Sequence, residues 1–344
     1  MPVGAHLVGG LKAPDSETAM RSAANILGRH LHAITDGETG ERDQWIGWQL
    51  GKLTSIDGIE VVGVKDTSAP DNEEYSGFPA IAVDSSVAEL PPRALGYADA
   101  AEASYPVFER LRAEGVIPAG VKFQVSVPTA YASVVAWVRE EDQQRFFDVY
   151  ERAIAGEVEG IVAAVPAADL VIQWDVAVEI GALNDAFVAS GELAEKSFII
   201  AALGRALEMP GGVERGIHLC YGDYKHRHFT VPADLSLCVE LANAVGDSSD
   251  FVHMPADRET GRDPGYYEPL RDLGVGRLAL GVIDYEGDEQ RTRELIGAAS
   301  EGSGGREFAV ATECGMARID ERGPGMPSLE RLLELHALNS DPIR

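Results

Sequence analysis

Eight short apolar runs, each followed by a stretch of helical periodicity, recur along the 344 residues. They begin near residues 6, 31, 122, 170, 216, 250, 277 and 307. Leu170-Val171-Ile172-Gln173-Trp174 and Arg277-Leu278-Ala279-Leu280-Gly281-Val282 typify them. Such runs are too short for helices and read as strands covered on both faces. The intervening segments, among them Ser16 to Arg29, Glu140 to Val165, Ala233 to Val245 and Glu289 to Ala299, have helical spacing. Strand–helix alternation specifies parallel βαβ units, and eight of them predict one (β/α)₈ TIM barrel. A doubly wound sheet is the competing architecture, but no Gly-x-Gly-x-x-Gly turn follows the first strand. Residues 55–118 break the rhythm as an insertion after the second βα unit. There Ile59 to Val64 and Phe78 to Val83 predict a hairpin, and Ala98 to Glu114 a helix. The expectation is a single domain spanning residues 1–344.

Charge limits the partners. A formal charge of −27 and a pI near 4.6 argue against nucleic acid and against an anionic membrane surface. No apolar run approaches the roughly 20 residues of a membrane span. The start, Met1-Pro2-Val3-Gly4-Ala5-His6, lacks the charged and apolar regions of a secretory signal. Cys220, Cys238 and Cys314 are too few for a disulfide framework, so a reducing cytoplasm is the expected location. Nothing in the sequence reports the oligomeric state.

In a barrel of this kind the site lies where the strands end. The strand ends here carry Gly9 and Gly10, Asp36 with Glu38, Pro128-Thr129, Asp175, His218 with Cys220, His253, Asp284 and Cys314. Residues 215–229 alone hold three of the eight histidines and one of the three cysteines. Residues i and i+2 of a strand share a face, so His218 and Cys220 can reach one ion, and zinc favours imidazole with thiolate. Asp175, directly after an apolar strand, is costly to bury without a partner. Lys225-His226-Arg227-His228, with Arg258 and Arg262, is a basic patch suited to an anionic substrate. Trp45 and Trp48 read as packing and Cys238 as core.

These residues, in this order, resemble the catalytic barrel of cobalamin-independent methionine synthase and its wider superfamily, which includes uroporphyrinogen decarboxylase. His218-Leu219-Cys220 matches that family's His-x-Cys pair, and Glu313-Cys314-Gly315 its final Cys-Gly. Val8-Gly9-Gly10 resembles the opening turn, with Gly10 where a serine is usual. Gly37-Glu38-Thr39-Gly40-Glu41-Arg42-Asp43 resembles the Gly-Glu…Glu-Arg segment, with one residue inserted. Ile172-Gln173-Trp174-Asp175 resembles the segment whose aspartate holds a substrate amine. The resemblance implies zinc on His218, Cys220 and Cys314, substrate contacts from Gly10, Glu38, Glu41 and Asp175, and a folate-type or other methyl donor as cosubstrate. The family's glutamate ligand is missing, because Pro255 stands in its place. His253, two residues earlier, is the expected substitute and would complete a His₂Cys₂ set. Where the family has a proton-transferring histidine, the segment reads Asp284-Tyr285-Glu286, which makes Asp284 and Glu286 the candidates for proton handling.

Two kinds of function follow. One is a zinc-dependent methyl- or alkyl-transferase acting on a small thiol. The other is a metal-free lyase or decarboxylase-like enzyme of the same superfamily, with His226, His228 and Arg258 binding a carboxylate-bearing substrate. A non-catalytic binding barrel is a third use of the same fold.

Overall fold

The computed structural model describes residues 2–65, 77–225, 227–321 and 323–343. Eight parallel strands form one sheet: β1 (Pro2–Ala5), β2 (Ala33–Thr35), β5 (Lys122–Pro128), β6 (Leu170–Val176), β7 (Glu214–Leu219), β8 (Phe251–Pro255), β9 (Arg277–Ile283) and β10 (Phe308–Thr312). Their order is β1-β10-β9-β8-β7-β6-β5-β2, and a parallel bridge between Ala5 and Leu31 joins the two ends. The sheet therefore curls into the expected TIM-type barrel. The other two strands, β3 (Ile59–Val64) and β4 (Pro79–Val83), form the expected antiparallel hairpin.

The helices follow from local chemistry. Asp15 caps α1 (Ser16–Leu27) by accepting from Thr18 N–H, Asp288 caps α9 (Glu289–Gly302), and Ser328 caps α10 (Leu329–Leu338). The long α5 (Glu140–Ala164) opens on three acids that favour its N-terminal dipole. The chain also forms α2 (Gly47–Leu53), α6 (Val178–Ala182), α7 (Lys196–Ala206) and α8 (Ser236–Ala244). Between β8 and β9 a 3₁₀ segment, Pro264–Asp272, replaces an α-helix; Pro269 inside it has no N–H to donate. Two features depart from expectation. A buried helix, α4 (Ala130–Trp137), follows Thr129, where only a turn is expected. And α3 (Tyr97–Ala113) packs against α1 and α5, so it belongs to the barrel's helical ring.

The two ends of the barrel differ. At the strand starts, Glu214 binds His32 at 2.8 Å and Lys122 at 2.9 Å, and also pairs with Arg277, tying β2, β5, β7 and β9 together. Higher up, Gln124 and Ser126 of β5 share a face and bond the carbonyls of Leu7 and Val8, at 2.8 and 3.0 Å. Gln173 of β6 donates to the Val8 carbonyl and accepts from His6 at 2.8 Å. This polar layer fixes the chain leaving β1, and with it Gly9 and Gly10.

Candidate metal and substrate site

At the C-terminal mouth, β7 and β10 deliver three ligand atoms. One nitrogen of His218, Cys220 Sγ and Cys314 Sγ all lie within 4.8 Å of one another. His218 and Cys220 are buried, and Cys314 is partly exposed. A hydrogen bond with Cys220, and then burial, hold the Cys314 thiol above its usual range.

His253 lies behind this group rather than in it. Its Nδ1 is 2.6 Å from Nδ1 of His218, its Cα partner on the neighbouring strand, and its Nε2 is 3.1 Å from the Thr312 carbonyl. A carbonyl only accepts, so His253 Nε2 carries the proton. Burial drives His253 well below its ordinary pKa and His218 down to about 3, so both rings are neutral. His253 Nδ1 is then an acceptor, and His218 Nδ1–H donates to it. That leaves His218 Nε2 bare, the form a metal needs. Both nitrogens of His253 are thus committed, and it is a partner of the first histidine instead of the fourth ligand expected from sequence.

Beside the thiols opens a cavity of about 370 Å³. Gly9, Gly10, Glu38, Glu41, Asp175, His218, Cys220 and Cys314 all line it. Asp175 pairs in register with His218 and accepts from Gln173 at 2.9 Å and Trp45 Nε1 at 3.1 Å. Burial pushes its carboxyl well up, against the help of those two donors. Burial, and then the nearby Asp175 charge, push Glu38 up as well. Glu38 sits at φ 47, left-handed backbone that L-residues seldom adopt, between Gly37 at φ 82 and the turn at Gly40. A carboxyl held in such a conformation, with raised pKa, makes Glu38 a candidate site residue.

Other expected site residues are placed elsewhere. Arg258 bonds Asp284 at 2.9 Å and both oxygens of Glu286, forming an ion-pair cluster outside the cavity. Asp284 also accepts from the backbone N–H groups of Glu286 and Asp288, as a turn carboxylate does. His228 lies 3.0 Å from Glu313 and 3.4 Å from Asp257; against the cost of burial, these carboxylates raise it to about 10. Arg262 pairs with Glu294 at 2.9 Å. His226 lies outside the described residues. Of the basic patch, His228, Arg258 and Arg262 are therefore paired with acids of this chain. Conversely, Trp45 and Trp48 line the cavity with Phe78, Trp137, Phe187, Tyr224 and Phe229. Sequence reading missed this wall, because its rings come from five separate segments. Cys238 is core, as expected.

No protein-family model matches the sequence, and no curated protein is similar to it in sequence. The fold, however, is shared with solved structures. A B12-independent methionine synthase from Shewanella sp. W3-18-1, solved with selenomethionine, superposes with a TM-score of 0.63 over 98% of this chain and 96% of its own, at 14% identity. A putative vitamin-B12 independent methionine synthase from Listeria monocytogenes gives 0.53 over 97% of each chain, at 14% identity. A methyltransferase from Methanosarcina mazei gives 0.51 over 98% and 92%, at 14% identity. At such identity the likeness establishes the barrel architecture.

Proposed function

We propose that this chain is a zinc-dependent methyl- or alkyl-transferase acting on a small thiol. The observation carrying this reading is the His218–Cys220–Cys314 group at the barrel mouth. The donor set fits zinc: two thiols and one imidazole whose free nitrogen is unprotonated, with room for a fourth ligand from the adjoining cavity. Zinc held there would lower the pKa of a substrate thiol and keep it a nucleophilic thiolate at neutral pH. The chain's own residues do the rest. His253 holds the ring of His218. Asp175 and Glu38 take the substrate's amine, and a cation there ionises both carboxyls. The aromatic wall excludes water from the reacting sulfur, whose new bond to carbon forms as the donor's bond to that carbon breaks. The donor is folate-type or another methyl carrier. Of the structural neighbours, one is a methionine synthase, one a putative methionine synthase and one a methyltransferase, which accords with this chemistry.

The competing lyase reading requires cationic groups available to substrate carboxylates. His228 and Arg258 are instead paired with Glu313, Asp257, Asp284 and Glu286. The deciding experiment is elemental analysis of the purified chain and of Cys314→Ser. About one zinc per chain, lost in the variant, is expected. A wild-type chain that neither contains zinc nor takes it up on titration overturns the reading.

A further inference from the structure

We propose that the cavity beside the thiols takes an amine- or onium-bearing molecule with a flat apolar body and no acid group. This rests on the reading above and names the class of molecule that meets Asp175 and Glu38.

Three observations carry it. First, the Glu38 carboxyl lines the cavity, and among the described residues no hydrogen bond or ion pair reaches its oxygens. It lies against Gly9, where a Cβ would come within 2.9 Å of Oε2. The neighbouring Asp175 receives only the neutral donors Gln173 and Trp45. A cation between two such carboxyls ionises them and supplies the missing partner; a carboxylate there gains no such pairing in a poorly solvated space.

Second, the described lining residues hold a single Lys or Arg, and its charge already faces acids of this chain. Arg318 is the one Lys or Arg among the described lining residues, and it bonds the Asp43 carbonyl at 3.1 Å and faces Asp223 at 3.9 Å. Arg42, near Glu38, bonds Asp36 at 2.6 Å. Gly10 offers no side-chain hydroxyl, and a Cβ there would lie 2.7 Å from that of Ala317. An α-amino acid thus finds a seat for its ammonium and, among the described lining residues, only the already engaged Arg318 to face its carboxylate.

Third, the remaining wall is aromatic and preassembled. Phe78 packs edge-on against Trp137 at 5.6 Å and Tyr224 at 5.3 Å, and Phe187 against Phe229 at 5.1 Å. Aromatic rings lining a cavity that also holds carboxyls suit ammonium and onium ions on apolar frames.

The test is calorimetric titration of the purified full chain with phenethylammonium, with phenylalanine and with 3-phenylpropionate. Phenylalanine is the first probe plus a carboxylate, so the pair isolates the acid group. Phenethylammonium is expected to bind at least about tenfold more tightly than either acid, and Glu38→Gln to remove most of that preference. Phenylalanine binding as tightly as phenethylammonium, or no saturable binding of phenethylammonium, overturns the proposal; neither comparison needs a variant. A chain that prefers the amine but holds no zinc would sink the transferase reading and leave this one standing. A zinc-containing chain that accepts phenylalanine equally would do the reverse.

Discussion

A neutral imidazole ligates a metal only through the nitrogen that has lost its proton, and in His218 that choice is made by His253, which lies outside the candidate ligand group. The Thr312 carbonyl fixes His253, and His253 fixes His218. Removing such outer partners typically costs about 10–100-fold in metal affinity. His253→Leu should lose zinc affinity in that range by chelator competition. His253→Asn, which keeps an acceptor at the δ position, should lose less. Equal affinity in wild type and His253→Leu would show that the ring pair plays no part. Glu38 gives a prediction on stability. Its carboxyl is raised from 4.5 to about 8 by burial and by Asp175. The folded chain then holds the proton at pH values where the unfolded chain has released it, so folding weakens as pH rises through this window. Glu38→Gln should flatten that loss in thermal melts between about pH 4.5 and 8. The candidate ligands at 218, 220 and 314 are legible in sequence, because spacing and strand ends place them. The role of His253 is not: it depends on strand register, which seats it beside His218. Nor are the partners of His228, which lie 29 and 85 residues away in sequence.

At the level of elements, the strand ends must approach closely to bring β7 and β10 to one point. Gly281 of β9 permits this, since a Cβ there would sit 2.5 Å from the Glu313 Cα, one residue before Cys314. Backbone cannot yield as a flexible side chain does. Gly281→Ala should therefore cost about 1–3 kcal/mol in chemical denaturation and should also lower zinc content, by displacing the end of β10. A variant as stable and as zinc-rich as wild type would refute this. The alternation of strand and helix is readable because buried parallel strands are continuous apolar runs. Helix α4 escapes such reading, because Ala130–Trp137 is apolar on every side and has no amphipathic period. The hairpin is legible from its two β-branched runs, whereas the attachment of α3 to the helical ring is a fact of packing alone.

Over the whole molecule, the mouth gathers the candidate site residues and the opposite end an ionic cluster. Glu214 gathers His32, Lys122 and Arg277 from three other strands or their flanks. Although burial alone would raise it, these partners depress its carboxyl to about 2. The stabilisation is thus present above the ordinary carboxylate range and lost as pH falls toward 2. Glu214→Gln should unfold more easily at neutral pH and show a shallower acid transition than wild type. Superimposable acid melts would argue against the clamp. The barrel itself could be inferred from the sequence, since eight repeats leave few arrangements. The ionic ring could not, because Glu214 precedes the apolar run that marks its strand.

The end of β10 carries a further consequence. Thr312 and Cys314 are two residues apart; one sets the tautomer of His218 through His253, and the other is a candidate ligand. Two of the three bonds that a metal would make there therefore hang from a single stretch of backbone. Disturbing it does not subtract one donor and leave a weakened pair. It takes away a thiol and turns the imidazole's bare nitrogen away from duty, so occupancy should fail as a unit. An intermediate, loosely loaded form of this centre has little structural basis.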